Sequence, residues 1–130
     1  MNNEDKTCWD TFRDILDAGI DRVILYGPAG TGKTFTAMNS HQPEGGKAFR
    51  LTCTDDMTNM DVTGGFLPSS DGGFDFIEGS AIKAWGGHRL VVDEIDKAGG
   101  DVFATLLNMT DSDGSATWEH PVTGAIHTPK

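Results

Sequence analysis

Residues 27–34 place glycines, a lysine and a threonine in an order that suits the binding of phosphate groups. They read Gly27-Pro28-Ala29-Gly30-Thr31-Gly32-Lys33-Thr34, the full pattern G-x-x-x-x-G-K-[ST] of a phosphate-binding loop, or P-loop. Glycines let the backbone N–H groups turn inward and form an anion cradle, and a following helix adds a favourable field. We expect the Lys33 ammonium on the β- and γ-phosphates and the Thr34 hydroxyl on Mg²⁺. The segment therefore predicts a site for a nucleoside triphosphate, with ATP and magnesium as the first expectation.

A second candidate segment ends in two carboxylates. It reads Leu90-Val91-Val92-Asp93-Glu94, an apolar run typical of a buried strand. We expect Asp93 to hold the Mg²⁺ shell through water, and Glu94 to act as the general base that polarises an attacking water. Many strands end in acidic residues, so this pattern gains its meaning from the P-loop earlier in the chain. Asp96 either lies at the rim of the site or caps the next helix, and the cap is favoured.

The elements that must position these residues alternate between strands and helices. A short apolar run at 22–26 predicts a buried strand that leads into the P-loop, so that strand and loop together occupy 22–34. The other predicted elements are helices at 7–18, 33–39, 80–85 and 100–109, strands at 47–54 and 89–94, and β-hairpins at 66–77 and 116–128. In the helix at 100–109, the expected apolar face is Val102, Phe103, Leu106 and Leu107. This alternation predicts an α/β fold with a largely parallel sheet.

Composition excludes several classes of function. The chain has 130 residues, which suits a single domain, and a net charge of −10. Because binding to DNA or RNA through phosphates needs a basic face, we expect no direct nucleic-acid partner. No apolar run is long enough to span a membrane. Cys8 and Cys53 form no metal-type pair and His41, His88, His120 and His127 show no ligand spacing, so we expect reduced thiols, structural histidines and a cytoplasmic location.

The two motifs together resemble the AAA+ ATPases, and more specifically the MoxR-like and dynein-related subgroup. Further stretches that match this subgroup lie at 61–65, 78–84 and 90–98, and in the helix that contains Leu106 and Leu107. The resemblance spans roughly residues 20–128. It implies a P-loop NTPase sheet with flanking helices and β-hairpin inserts, in which the hairpin at 66–77 lies near the second core helix. The hairpin at 116–128 resembles the one that precedes the sensor strand.

The resemblance covers the N-terminal part of the family's core, so we expect 1–130 to be a partial AAA+ ATPase core. In the family, the sensor strand, the arginine finger and a helical lid come later than the position of Lys130. The sensor strand lies between the P-loop strand and the carboxylate-bearing strand. We therefore expect a gap between these two strands here, about 4.8 Å wider than a direct pairing. Backbone groups that face this gap would lack partners.

The resemblance implies Mg-ATP binding and, in a full assembly, ATP hydrolysis that remodels a partner protein. It also implies a homo-oligomeric ring, expected to be a hexamer, with the hairpin at 66–77 either touching the substrate protein or lying free on the surface. One alternative is a nucleotide-binding module without turnover, because an arginine finger alone is worth roughly 10³–10⁵ in rate. Another is a GTP-using relative. The guanine-specific pattern Asn-Lys-x-Asp is absent from the sequence, which favours ATP.

Overall fold

A computed structural model of the chain describes residues 7–40, 42, 45–111 and 115–130. His41, one of the histidines expected to be structural, lies outside these residues. In chain order, the elements are α1 (Cys8–Asp17), α2 (Lys33–Asn39), β1 (Ala48–Thr52), α3 (Asn59–Val62), β2 (Gly64–Pro68), β3 (Phe74–Glu78), α4 (Ser80–Ala84), β4 (Arg89–Asp93), α5 (Gly100–Met109), β5 (Trp118–Glu119) and β6 (Ile126–His127). A 3₁₀ turn at Ile95–Lys97 follows β4. Strands and helices alternate around a parallel pairing, so the α/β prediction is confirmed.

The parallel pair β1–β4 forms the centre of the fold. Its register runs from Ala48 opposite Arg89 to Thr52 opposite Asp93. Side chains alternate along β1, as they must in a strand: Leu51 is buried, whereas Arg50 and Thr52 on the opposite face are exposed. The predictions of strands at 47–54 and 89–94 are therefore confirmed, with shorter bounds. The pairing aligns the carboxyl ends of both strands at one edge.

One cluster of apolar side chains packs against the β1–β4 pair. Its buried members are Leu51, Cys53, Val62, Ala81, Ile82, Val102, Leu106 and Met109. The apolar face predicted for α5 is wrong in part, because Phe103 is 42% and Leu107 is 55% exposed. Val102, Leu106 and Met109 recur at i, i+4 and i+7, which places them on one stripe of a helix. Phe103 and Leu107 each follow a stripe residue and are therefore turned about 100° away from the core.

The segment 22–26 does not form the buried strand that its composition predicts. It contains no strand, and Ile24 and Tyr26 are 87% and 92% exposed. A β-branched apolar run becomes a strand only when a neighbouring strand satisfies its backbone groups. Among the described residues, the neighbour of β4 in its sheet is β1, and no strand pairs with 22–26. The expected gap between 22–26 and β4 stays a prediction.

Helix α1 begins and ends as predicted. The Thr7 hydroxyl accepts a hydrogen bond from the Asp10 N–H, and the Asp10 carboxylate accepts from the Thr7 N–H, which completes a capping box. At the other end Gly19 adopts a left-handed conformation with a φ of 82°. The Ile20 N–H donates to the Ile15 carbonyl, so the helix closes in a Schellman motif.

Both predicted hairpins are present and pack on each other through aromatic rings. Strand β2 pairs with β3 and β5 pairs with β6, each pair antiparallel. Phe76 of β3 stacks on Trp118 of β5, with ring centroids 5.9 Å apart. His120 meets Phe76 edge-on at 4.9 Å. Because aromatic pairs at these distances attract each other, the contact fixes one hairpin against the other.

The described residues contain no helix that is long and apolar enough to cross a membrane. The longest helices, α1 and α5, have 10 residues each.

Replacement of Leu106 by alanine tests the assignment of the core stripe. We expect Leu106→Ala to lower the free energy of unfolding by about 2–4 kcal/mol, because it leaves a cavity in a close-packed cluster. Leu107→Ala, next to it on the same helix, should change it by less than about 1 kcal/mol. Urea denaturation followed by circular dichroism measures both. Equal losses for the two variants would contradict the assignment.

Candidate functional site

The P-loop leads directly into α2. Gly30 and Gly32 adopt left-handed conformations, with φ of 77° and 85°, and Gly32 is the residue from which the helix starts. Side chains other than glycine are strained at such angles. A Cβ added at either position would meet no protein atom within 4 Å. The glycines are therefore needed for their backbone conformation, and the space beside the loop is open.

The ammonium of Lys33 lies against the P-loop itself. Its Nζ donates to the carbonyl oxygens of Gly27 at 2.9 Å and Pro28 at 2.7 Å. The Thr31 hydroxyl also donates to the Pro28 carbonyl, at 3.0 Å. These bonds place a positive charge at the loop that the sequence assigns to phosphate. A phosphate oxygen that binds Lys33 would replace carbonyl contacts with a charged partner, and hydrogen bonds between charged groups are the stronger ones.

Thr34 and Asp93 come together across the site. The Thr34 hydroxyl donates to Oδ2 of Asp93 at 3.0 Å, although the two residues lie 59 positions apart in the chain. Thr34 is on the first turn of α2 and Asp93 is the last residue of β4. The contact therefore joins the P-loop to the carboxyl end of the sheet. Among the predicted site residues, this contact joins one in the P-loop motif to one on the carboxylate-bearing strand.

Arg50 contacts the same carboxylate, and nothing in the sequence had assigned it to the site. Its Nη2 donates to Oδ2 of Asp93 at 2.7 Å, with the arginine side chain 50% exposed and the aspartate 22% exposed. Arg50 lies opposite Val91 in the register, so Asp93 is its diagonal neighbour on the same face, within reach of a long side chain. Only the register of β1 against β4 reveals this pair.

The electrostatics of Asp93 combine opposing effects. Partial burial raises the pKa of the carboxyl group, but hydrogen bonds from Arg50 and Thr34 and the charge of Arg50 outweigh it and hold the pKa below its ordinary value. Asp93 is therefore ionised at neutral pH. Cys53 lies close by, since its N–H donates to the Asp93 carbonyl at 2.9 Å. Burial, and then the charges of Asp93 and Asp96, raise the pKa of the Cys53 thiol.

Glu94 adopts an unusual backbone conformation. Its φ is 56°, the one positive value at a non-glycine position among the described residues. Such a conformation costs on the order of 1–3 kcal/mol and is frequent at functional sites. The Glu94 carboxylate, 46% exposed, accepts a hydrogen bond from the Lys97 ammonium. That bond raises the pKa of Lys97. Glu94 therefore lies beside Asp93 in the chain but has a separate cationic partner.

The prediction that Asp96 caps the next helix is wrong. Asp96 lies within the 3₁₀ turn, and the residue that caps α5 is Gly99, without a side-chain hydrogen bond. Residues 95–97 form the 3₁₀ turn, so α5 begins at Gly100. The other interpretation of Asp96, at the rim of the site, stays a prediction.

The donor set at the Thr34–Asp93 contact fits a magnesium ion. Mg²⁺ prefers hard oxygen ligands and keeps several waters. A hydroxyl and an ionised carboxylate lie within 3.0 Å of each other, next to an open loop. In the described part of the chain, including this site, no group of three or more histidine, cysteine or acidic side chains is placed to hold a metal. His88 instead accepts from the Lys47 N–H. His120 contacts Phe76 of the other hairpin, and the ring contacts of His127, with Trp118 and His120, lie within its own hairpin.

Loss of the Thr34 hydroxyl tests the junction with Asp93. We expect Thr34→Val to raise the pKa of Asp93 toward its ordinary value and to destabilise the fold by about 1 kcal/mol at pH 7. Because the folded-state pKa lies below the unfolded one, this contribution is present above about pH 4 and is lost as pH falls through the folded-state pKa. Carboxyl chemical shifts and urea titrations at several pH values measure both effects. Thr34→Ser keeps the hydroxyl and should match the wild type; a loss as large as that of the valine variant would refute the junction.

A comparison with known families agrees with this geometry. The model of the AAA domain, dynein-related subfamily, matches residues 22–119. The match covers well over half of the 130 residues and includes the P-loop, the β1–β4 pair, the β2–β3 hairpin and α5. A nucleotide-binding P-loop is the defining feature of such domains. The chain therefore belongs to the AAA domain family, dynein-related subfamily, of P-loop nucleotide-binding proteins.

Proposed function

We propose that this chain binds ATP with Mg²⁺ at residues 27–34 and serves as the ATP-hydrolysing module of a larger assembly. The observation that supports this most directly is the 3.0 Å contact between the Thr34 hydroxyl and the Asp93 carboxylate. Two oxygen groups from distant segments meet beside the P-loop, and these two residues would hold the metal. Bound magnesium would neutralise charge on the phosphates.

In this proposal each site residue has one task. The backbone of Gly27, Pro28, Ala29, Gly30, Thr31 and Gly32 cradles the phosphates. Lys33 binds the β- and γ-phosphates, and Thr34 and Asp93 hold the metal and its water shell. The open space beside Gly30 and Gly32 supports the first task, because phosphate can approach the backbone there. The Lys33 ammonium is already held at the loop by the Gly27 and Pro28 carbonyls.

Glu94 is the proposed general base. It follows Asp93 at the end of β4, which suits a residue that must reach a water beside the γ-phosphate. The Lys97 ammonium donates to Oε2 of the Glu94 carboxylate. A carboxylate has a second oxygen, which can accept the proton of the water while Lys97 stays bound.

The Lys97–Glu94 pair gives a reason to keep a second candidate function, a nucleotide-binding module without turnover. If Lys97 holds the Glu94 carboxylate away from the γ-phosphate, nucleotide binds but no base reaches the water. The two candidates differ in the rate of phosphate release, and the effect of Glu94→Gln on that rate separates them. The alternative that the chain uses GTP is tested by comparing its affinities for ATP and GTP.

The assembly and its partner are further proposals. AAA domains often form rings, and we propose a homo-oligomeric, hexameric ring that remodels a partner protein. Exposed apolar side chains on the β2–β3 hairpin support a role in partner contact: Phe66, Leu67, Phe74 and Ile77 are between 47% and 70% exposed. We also propose that the chain belongs to the MoxR-like branch, because its stretches at 61–65 and 78–84 resemble that subgroup. We also propose a cytoplasmic location, supported by the two free cysteines.

Calorimetric titration with nucleotide tests the proposed function. We expect ATP with Mg²⁺ to bind the wild type and Lys33→Ala to weaken it at least tenfold, because the variant loses a charged contact with phosphate. Lys47→Ala, which removes an equal charge from an exposed position before β1, is the matched control and should bind as the wild type does. ATP should bind more tightly than GTP. Equal losses for the two lysine variants would contradict the assignment of the P-loop.

Phosphate release separates the two candidate functions. Under the ATPase proposal, Glu94→Gln retains ATP binding and loses at least 100-fold in turnover, since it removes the general base. A colorimetric phosphate assay on wild type and variant measures this. A wild-type rate no greater than that of the variant would favour the module without turnover.

A further inference from the structure

We propose that the guanidinium of Arg50 competes with magnesium for Asp93, so that Arg50 sets the affinity of the site for the metal. The inference rests on the proposed function, because it concerns the carboxylate that the proposal assigns to magnesium. It adds a residue that neither the P-loop pattern nor the carboxylate pattern contains. It also predicts an unusual result, namely that removal of a site residue tightens metal binding.

The first argument is the occupancy of one oxygen atom. Oδ2 of Asp93 accepts from Arg50 Nη2 at 2.7 Å and from the Thr34 hydroxyl at 3.0 Å. A carboxylate oxygen has two lone pairs, so these two bonds fill it. A metal, or a metal-bound water, that contacts Oδ2, the oxygen beside the Thr34 hydroxyl, needs one of those lone pairs. Either mode of magnesium binding at Oδ2 therefore displaces one of the two donors.

The second argument identifies which donor leaves. The bond from Thr34 uses the hydroxyl proton and leaves the lone pairs of its oxygen available to a metal. Thr34 can therefore ligate magnesium and still donate to Asp93. Arg50 brings a full positive charge and has no lone pair to offer. A dication beside it is repelled, so Arg50 is the donor that magnesium displaces.

The third argument is that Arg50 can move at low cost. Its side chain is 50% exposed, so the guanidinium can exchange Asp93 for water. Ion pairs at such exposure contribute little to stability. The fold does not depend on the ion pair either, because β1 and β4 are already joined by backbone pairing along five register positions. The Arg50–Asp93 ion pair can therefore compete with magnesium for the carboxylate, and magnesium can also displace it.

A competing interpretation is that Arg50 positions Asp93 for magnesium. The two interpretations predict opposite signs. If Arg50 competes, its removal tightens metal binding; if it positions the carboxylate, its removal weakens it. The measured quantity is the metal enhancement, defined as the Kd of a non-hydrolysable ATP analogue in EDTA divided by its Kd in saturating Mg²⁺. This ratio cancels effects on nucleotide binding that do not involve the metal.

We expect Arg50→Gln to raise the metal enhancement about three- to tenfold over the wild type, the range expected for one charge-assisted contact. Arg13→Gln removes the same charge from an exposed ion pair with Asp10 on α1 and should leave the ratio unchanged. The effect must also act through Asp93. In the Asp93→Asn background, Arg50→Gln should therefore change the ratio by less than about twofold, as in a double-mutant cycle.

The outcomes separate cleanly. An unchanged or lowered ratio in Arg50→Gln overturns the proposal, and so does an equal rise in the Asp93→Asn background, which would indicate general repulsion. If the wild type binds the analogue but the ratio does not rise, the proposed function stands and this inference fails. If no protein binds the analogue, the proposed function fails. In that case, titration with Mn²⁺ alone, followed by water-proton relaxation, still tests the competition for Asp93. Tighter Mn²⁺ binding by Arg50→Gln than by the wild type supports competition, and equal binding overturns it.

Circular dichroism checks that each variant is folded. If Arg50→Gln does not fold, Arg50→Lys replaces it, because lysine keeps the charge and most of the stem but not the planar guanidinium fork. We expect a smaller rise in the metal enhancement for this variant, about two- to threefold. A ratio equal to that of the wild type would overturn the proposal.

Discussion

The parallel pairing of β1 with β4 is the constraint on which the rest of the site depends. It aligns Thr52 with Asp93 at the carboxyl edge and places Arg50 diagonally across from the same carboxylate. The Thr34 hydroxyl reaches that carboxylate from α2, which fixes the start of the helix, and hence the P-loop, against the sheet. Slippage of the pairing by one residue would turn Asp93 to the opposite face and break both contacts.

The P-loop is joined to the β1–β4 pair through the helix that follows it. After the loop, α2 is joined to β4 through Thr34 and through Arg89, whose guanidinium donates to the Ala37 and Ser40 carbonyls at 3.1 and 3.0 Å. Before the loop, the segment 22–26 has no strand partner among the described residues, and its apolar side chains are exposed. The geometry of the phosphate site is therefore set by the helix that follows the loop.

The two carboxylates at the end of β4 each have a cationic partner from a different element. Asp93 is paired with Arg50 of β1, and Glu94 with Lys97 of the 3₁₀ turn. Each partner neutralises a carboxylate, which reduces the negative charge at the proposed phosphate site of a chain with a net charge of −10. Under the proposed function the two ion pairs act on different steps, Arg50 on metal binding and Lys97 on the position of the general base.

The sequence by itself determined the phosphate loop, most strand and helix positions, both hairpins and the capping of α1, because turn residues, caps and apolar periods are local signals. Tertiary structure decided the remainder. The run at 22–26 has strand composition but no neighbour with which to pair. Phe103 and Leu107 are apolar but lie off the buried stripe of α5. Arg50 joined the site through a register between strands that no local pattern encodes, since side chains distant in the chain meet only when the sheet is formed.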